Sequence, residues 1–156
     1  LRQIGYNFRL SDINCALGLS QLKRIKKIVK KRTEIVKIYN KFFLKFSFFK
    51  TASDKKKETT SAHHIYPLSI DFKKLRINPR DFYFNLKKKY KIQLQKHYTP
   101  IYRFSYYKKK YKINIKEFKN TENFYNNSFS LPLYIGLKKK QIEYICNSIL
   151  KVLDVK

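Results

Sequence analysis

Apolar residues recur at three- and four-residue steps through Ile13, Ala16, Leu17, Leu22, Ile25, Ile28, Val29, Ile35, Val36, Tyr39, Phe42, Phe43 and Phe46. Lys23, Lys26, Lys27, Lys30, Lys31 and Lys37 mostly occupy the other side. That spacing has the helical period and predicts one amphipathic helix of about nine turns. Ser11 is a suitable N-cap, and Asp12 places an anion in the first turn, where the helix dipole favours it. Gly18 is the point in the run where a kink or break is expected. The stripe ends in aromatic residues that need a partner to cover them, so it reads as core rather than as a membrane-surface face.

Beyond this helix the pattern changes period. Thr51 to Ala62 (TASDKKKETTSA) has no apolar anchor and reads as an exposed loop. His64 to Asp71 has β-branched and aromatic character with Pro67 inside it, which predicts a strand confined to a sheet edge or a bulge. Asn78, Pro79 and Asp81 form a helix start, and the helix should run to about Tyr90. A second strand is expected over Ile92 to His97. After it, YTPIYRFSYYKKKYKIN is aromatic, basic and aperiodic, and reads as a loop of about 18 residues, a length that in a compact domain is usually functional or disordered. Phe118 to Asn127 fits a short helix and Ser130 to Tyr134 a short extended piece. Lys138 to Val152 fits a closing helix with Ile142, Ile145, Cys146, Ile149, Val152 and Leu153 on its apolar face. Strands and helices linked in this way predict an α+β architecture: a small, mostly antiparallel sheet covered by helices, preceded by a long N-terminal helix.

Charge sharpens the picture less than its size implies. The 156 residues carry 37 Lys plus Arg against 10 Asp plus Glu, a net charge of +27. With 13 Tyr and 13 Phe, the chain has enough apolar material to order its backbone, which excludes a disordered polycation. The residues in excess (Lys, Asn, Ile, Phe, Tyr) are those of A- and T-rich codons, and Lys outnumbers Arg 30 to 7, although Arg is the better fork for phosphate. The charge therefore reads first as codon bias on solvated faces. The rival reading is a basic nucleic-acid-binding module in which Tyr and Phe interleaved with Lys stack on bases. The chain opens at Leu1 and contains no Met, which reads as a fragment. No stretch approaches the roughly 18 to 20 apolar residues of a membrane span and no secretory signal is evident, so a cytoplasmic protein without membrane attachment is expected.

Few residues could carry chemistry on their own. Three histidines (His63, His64, His97) and ten scattered carboxylates give no metal-ligand spacing, and no metal site is expected. Cys15 and Cys146 lie far apart and read as structural. Phosphate-cradling glycine loops and a nucleophile elbow are missing.

Three local patterns in fixed order are more informative. The opening GYNFRLSDINCALGLSQLKRI supplies Gly5, Tyr6, Asn7, Arg9, Ser11, Asp12, Ala16, Gly18, Gln21 and Leu22 at the places of a G-Y-N-x-R-x-[ST]-[DE] segment followed by A-x-x-G-x-x-Q-L. HHIYPLSID and QKHYTPIYRFSYY match an H-x-Y strand and an H-Y-x-P loop. ENFYNNSFSLPLYIGLKKKQIEYI puts Glu122, Ser130, Leu131, Pro132 and Leu137 in register with a closing S-L-P segment. Together, over nearly the whole chain, these resemble the C-terminal part of the DegT/DnrJ/StrS-type sugar aminotransferases. Tyr102 and Ser105 stand where that family commonly has His and Pro.

The resemblance implies the C-terminal small domain of a fold-type-I transferase dependent on pyridoxal 5'-phosphate. Residues 1–46 would form the cofactor-contacting loop and long helix, and residues 63–156 a small α+β domain. The lysine that holds the cofactor belongs to the family's larger N-terminal domain, so no catalytic lysine is assigned in this chain and the fragment alone should be inactive. Asn7 and Arg9 are the implied cofactor-binding residues, with Asn7 reaching the cofactor phosphate held by the other subunit of a homodimer. His97 and Tyr98 open the aromatic loop and, with Tyr102 and Arg103, are the candidate substrate-binding residues. The implied reaction moves an amino group from glutamate to a keto-sugar nucleotide, a UDP-linked 4-keto-6-deoxy N-acetylhexosamine.

Overall fold

The structure, a computed structural model, describes residue 6, residues 8–51 and residues 61–155. Helix α1 (Asp12–Phe43) runs for 32 residues. Ser11 caps it as expected, accepting the Asn14 N–H at 3.4 Å, and the helix passes unbroken through Gly18. It stops at Phe43, three residues short of the end of the apolar stripe, so Phe46 lies in the following turn. Its C-terminal half packs: Ile35, Val36, Tyr39 and Phe43 are buried, whereas Ile13, Leu17, Leu22 and Ile25 remain exposed.

Three short strands follow, β1 (Phe49–Thr51), β2 (Tyr66–Ile70) and β3 (Ser128–Leu131), in an antiparallel sheet of order β1-β2-β3. β1 has no counterpart in the sequence reading, because its three residues continue an aromatic run. Of the expected loop at 51–62, Thr51 belongs to β1 and residues 52–60 lie outside the described residues.

The register explains a correction at Pro67, which sits in the central strand and not at an edge. The Asp71 N–H bonds to the Phe48 carbonyl, so by strand alternation residues 71, 69 and 67 present their backbone nitrogens towards β1. The pairing of β1 with β2 ends at Thr51 with Leu68, one residue before Pro67. The missing donor therefore lies beyond the last described pair of that ladder, and no described hydrogen bond is lost at the proline.

A second correction concerns Ile92 to His97, which forms no strand. Ile92 and Leu94 are buried in alternation, but the segment touches β3 at a single bridge, with Ser130 N–H donating to the Gln95 carbonyl at 2.7 Å and Gln95 N–H to Ser130 at 3.4 Å. The next pairs would be Gln93 with Pro132 and His97 with Ser128. Pro132 has no N–H to give, and the Ser128 N–H is already bonded to Phe124 at the end of a helix. Both ends of the ladder are thus closed chemically.

Helices complete the molecule. α2 (Phe72–Leu75) is a single turn, and α3 (Pro79–Tyr90) begins at the predicted Asn78 cap, whose side chain accepts the Arg80 N–H at 2.8 Å. The expected 18-residue loop after His97 is partly helical, with a 3-10 turn at Ile101–Arg103, α4 (Ser105–Lys110) and a second 3-10 turn at Ile115–Phe118. Tyr and Lys are moderate helix formers, and what the aperiodic pattern hides here are turns too short to show a period. α5 (Lys119–Asn127) and α6 (Lys139–Val152) fall where the sequence puts them.

One face of the sheet carries Tyr66, Leu68, Ile70, Phe129 and Leu131, all buried with residues of α1, α3 and α6. Tyr39 meets Tyr66 at 4.9 Å between ring centroids, and Phe43 meets Phe49 at 4.8 Å. Phe72 and Phe82 close on Phe129 at 5.9 and 5.7 Å. Each such side chain contributes on the order of 1.5–3 kcal/mol by leaving water. The other face is small and polar: Ser69, Ser128 and Ser130, the first two sharing a hydrogen bond of 2.5 Å. Among the described residues no helix is long and apolar enough to cross a membrane.

Candidate functional site

The extended segment that fails to become a strand borders a cleft of about 1090 Å³. Gln93 and Gln95 line it, together with Lys96, His97 and Tyr98. The first two turns of α3 supply Arg80 and Asp81 at the mouth and Tyr83 and Phe84 as wall. Tyr125, Phe129 and Arg103 close the far side.

His97 is positioned by the bridge beside it, its Nδ1 sharing a 2.6 Å hydrogen bond with the Ser130 hydroxyl. Tyr98 stands edge-on to the imidazole at 4.7 Å and is 73% exposed, so its ring projects into the cleft. Arg103 donates from Nε to Glu122 at 3.0 Å and from a terminal nitrogen to the other carboxylate oxygen, a bidentate pair. Its guanidinium lies 4.9 Å over the Tyr125 ring. Tyr102 is different: its ring is buried against Phe118 and its hydroxyl donates to Glu122 at 2.8 Å, so it sits behind the wall and does not line the cleft. Hydrogen bonds from Arg103 and Tyr102 hold the Glu122 carboxyl below its ordinary range, and burial followed by the Glu122 hydrogen bond pushes the Tyr102 phenol up.

Of the two candidate cofactor residues only Arg9 lies among the described ones. Arg9 is exposed in the extended segment just ahead of the Ser11 cap and is not part of the cleft. Asn7 lies outside the described residues. Among the described residues no group of three or more His, Cys, Asp or Glu could hold a metal.

Sequence reasoning missed Lys96. Its ammonium donates to the carbonyls of Tyr125 and of Asn126, the latter at 3.3 Å, and stands 4.6 Å from the ring centroids of both Tyr125 and Phe129. Burial, and then the neighbouring Arg103 charge, lower its pKa. A signal existed, since Lys96 continues the inward alternation Ile92, Leu94, but in a chain with 30 lysines one more in a basic stretch attracts no notice.

Comparison with known proteins identifies relatives of the chain. The chain is 33% identical over 152 residues to a UDP-4-amino-4,6-dideoxy-N-acetyl-beta-L-altrosamine transaminase of Campylobacter jejuni, covering 97% of this chain and 39% of that protein. It superposes on Helicobacter pylori PseC, an aminotransferase involved in the biosynthesis of pseudoaminic acid, with a TM-score of 0.87 and 32% identity, over 99% of this chain and 40% of the other. The sugar aminotransferase Spr1654 of Streptococcus pneumoniae, solved in a PLP form, gives a TM-score of 0.84 at 25% identity, over 94% of this chain and 36% of that one. The chain thus spans about two fifths of the length of the relatives it matches. The family model for DegT/DnrJ/EryC1/StrS aminotransferases, enzymes that use pyridoxal phosphate, matches residues 1–150, and the chain belongs to that family.

Proposed function

We propose that this chain is the C-terminal small domain of a cytoplasmic sugar-nucleotide aminotransferase that transfers an amino group from glutamate to a UDP-linked 4-keto-6-deoxy N-acetylhexosamine, in the route to pseudaminic acid. The observation that carries the reading is the meeting of His97, Tyr98 and Arg103 in one cleft, within a chain matched by the aminotransferase family over residues 1–150. A nucleotide sugar is polar, anionic and flat at its base, so its site needs hydrogen-bond donors and aromatic faces. This cleft offers both.

In the complete enzyme, residues 1–46 would contact the cofactor and the larger domain, and residues 63–156 would form one side of the substrate cleft. When bound, pyridoxal 5'-phosphate supplies the carbonyl that receives and hands on the amino group. A donor near α1 suits its phosphate: Arg9 is exposed two residues ahead of the Ser11 cap, and a guanidinium can contact a phosphate through two parallel N–H donors. Asn7 would add an amide donor across the homodimer. His97, fixed on one side by Ser130, keeps its second ring nitrogen for the substrate, and Tyr98 would stack beside the sugar or base.

The test is the complete protein, incubated with glutamate and the keto-sugar nucleotide and analysed for the amino sugar; no product from any UDP- or dTDP-linked keto-sugar would overturn the reading. In that protein, Asn7→Ala should weaken cofactor retention by about 1.5–3 kcal/mol, one charge-assisted hydrogen bond. Mixed dimers carrying one mutant subunit should lose cofactor from the opposite site; loss from the mutant's own site would refute the cross-subunit role.

A further inference from the structure

The sequence points to Arg103 as the cation that meets the substrate's anionic group, but the cleft distributes its charges otherwise. Glu122 takes Arg103 in a bidentate grip, with two donors of the guanidinium committed and its charge neutralised by a carboxylate. Arg80 and Asp81, of opposite sign, are adjacent and exposed at the mouth. Lys96 alone among these cations is both recessed and uncompensated: among the described residues no carboxylate lies within ion-pair distance of it. Its neighbours are two carbonyls and two ring faces, which steer the ammonium without cancelling its charge.

An ammonium has three N–H donors, and two are accounted for by Tyr125 and Asn126. One remains. Burial and the nearby Arg103 both disfavour the protonated amine, a cost that an anion placed between the two cations would relieve.

We propose that Lys96, and not Arg103, is the group of this cleft that recognises a phosphoryl oxygen of the nucleotide, while Arg103 and Glu122 form the strut that holds the wall. A diphosphate fits better than a carboxylate, because it spreads two negative charges over several oxygens, one of which can take the remaining Lys96 donor. Tyr83, Tyr98 and Tyr125 offer flat surfaces for a base or sugar attached to it. This assignment rests on the nucleotide-sugar reading above.

The test uses the complete, cofactor-loaded protein with UDP and uridine as calorimetric probes. Lys96→Gln should weaken UDP about tenfold to a hundredfold, the worth of one charge-assisted contact, leave uridine unchanged, and raise KM for the sugar nucleotide without raising that for glutamate. Lys96→Arg should recover part of the loss. Unchanged UDP affinity, an equal loss for uridine, or a rise confined to the glutamate KM would each overturn the assignment. If Lys96→Gln does not fold, a salt series on the unsubstituted protein decides: UDP affinity that does not fall with ionic strength refutes an electrostatic contact. Turnover of the keto-sugar with normal UDP binding by Lys96→Gln would reject Lys96 alone. UDP binding that depends on Lys96 without any turnover would support Lys96 and reject the proposed reaction.

Discussion

Glu122 is the residue on which the wall of the cleft depends, because it holds Arg103 and Tyr102 at once. Its native pKa lies below its unfolded value, so the ionised form favours the folded state. That contribution is complete above the unfolded carboxylate range and is lost as pH falls through the native pKa. Urea unfolding of the complete protein between about pH 7 and about pH 3 should therefore show a steeper acid loss than unfolding of Glu122→Gln, whose slope lacks this component; identical slopes would remove Glu122 from the account. A thiol gives a second check at this scale. Burial, chiefly, and Glu143 push Cys146 up to about 12, whereas Cys15 is exposed. In the folded chain an aromatic disulfide reagent should titrate Cys15 quickly and Cys146 only after unfolding; fast reaction of both would contradict the buried core around Tyr39 and Tyr66. Of the candidate site, His97 and Tyr98 were legible from a motif. Lys96 was not, because its function as a cation depends on what lacks a carboxylate nearby, and sequence does not say which charges are paired.

Helix boundaries were legible wherever a cap and a period coincide, as at Ser11 with α1 and Asn78 with α3. Strands were legible only in their inward alternation, since pairing depends on donors supplied by remote residues such as Pro132 and Ser128. α3 closes at Lys91, a non-glycine residue held at φ 56°. Left-handed backbone suits glycine, so Lys91→Gly should stabilise the protein by about 0.5–1 kcal/mol in a denaturant titration; a loss would mean that the lysine makes a compensating contact. The N-terminal half of α1 presents Ile13, Leu17, Leu22 and Ile25 to solvent, with Leu17 58% and Leu22 65% exposed. A helix face of this kind is covered in a stable protein. If the proposed larger domain covers this face, Leu17→Lys with Ile25→Lys should make the isolated chain more soluble and abolish its association with that domain expressed separately; retained association would place the interface elsewhere.

At the scale of the whole molecule the net charge of +27 no longer asks for a polyanionic partner, since the family match accounts for the chain from residue 1 to residue 150. Binding to single-stranded nucleic acid should be weak, blind to sequence and gone near physiological salt, which a salt series by fluorescence anisotropy checks; tight binding there would revive the rival module. The sheet carries a different kind of consequence. Among the described residues the three strands, of three to five residues, leave two flanks with at most a single bridge, and a long flank is a template on which a second chain can add a strand. Along β3 that template is one residue long, because proline at 132 withholds a donor and the Ser128 amide is spent on a helix end. Along β1 the outward amides are those of Phe49 and Thr51, and the Phe49 N–H is already bonded to the Phe46 carbonyl, so that edge is equally short; it also carries the exposed Lys50. In a chain this rich in Tyr, Phe and Ile, edges this short leave little backbone on which a second copy could stack, and the proline at 132 is one of the residues that shorten them.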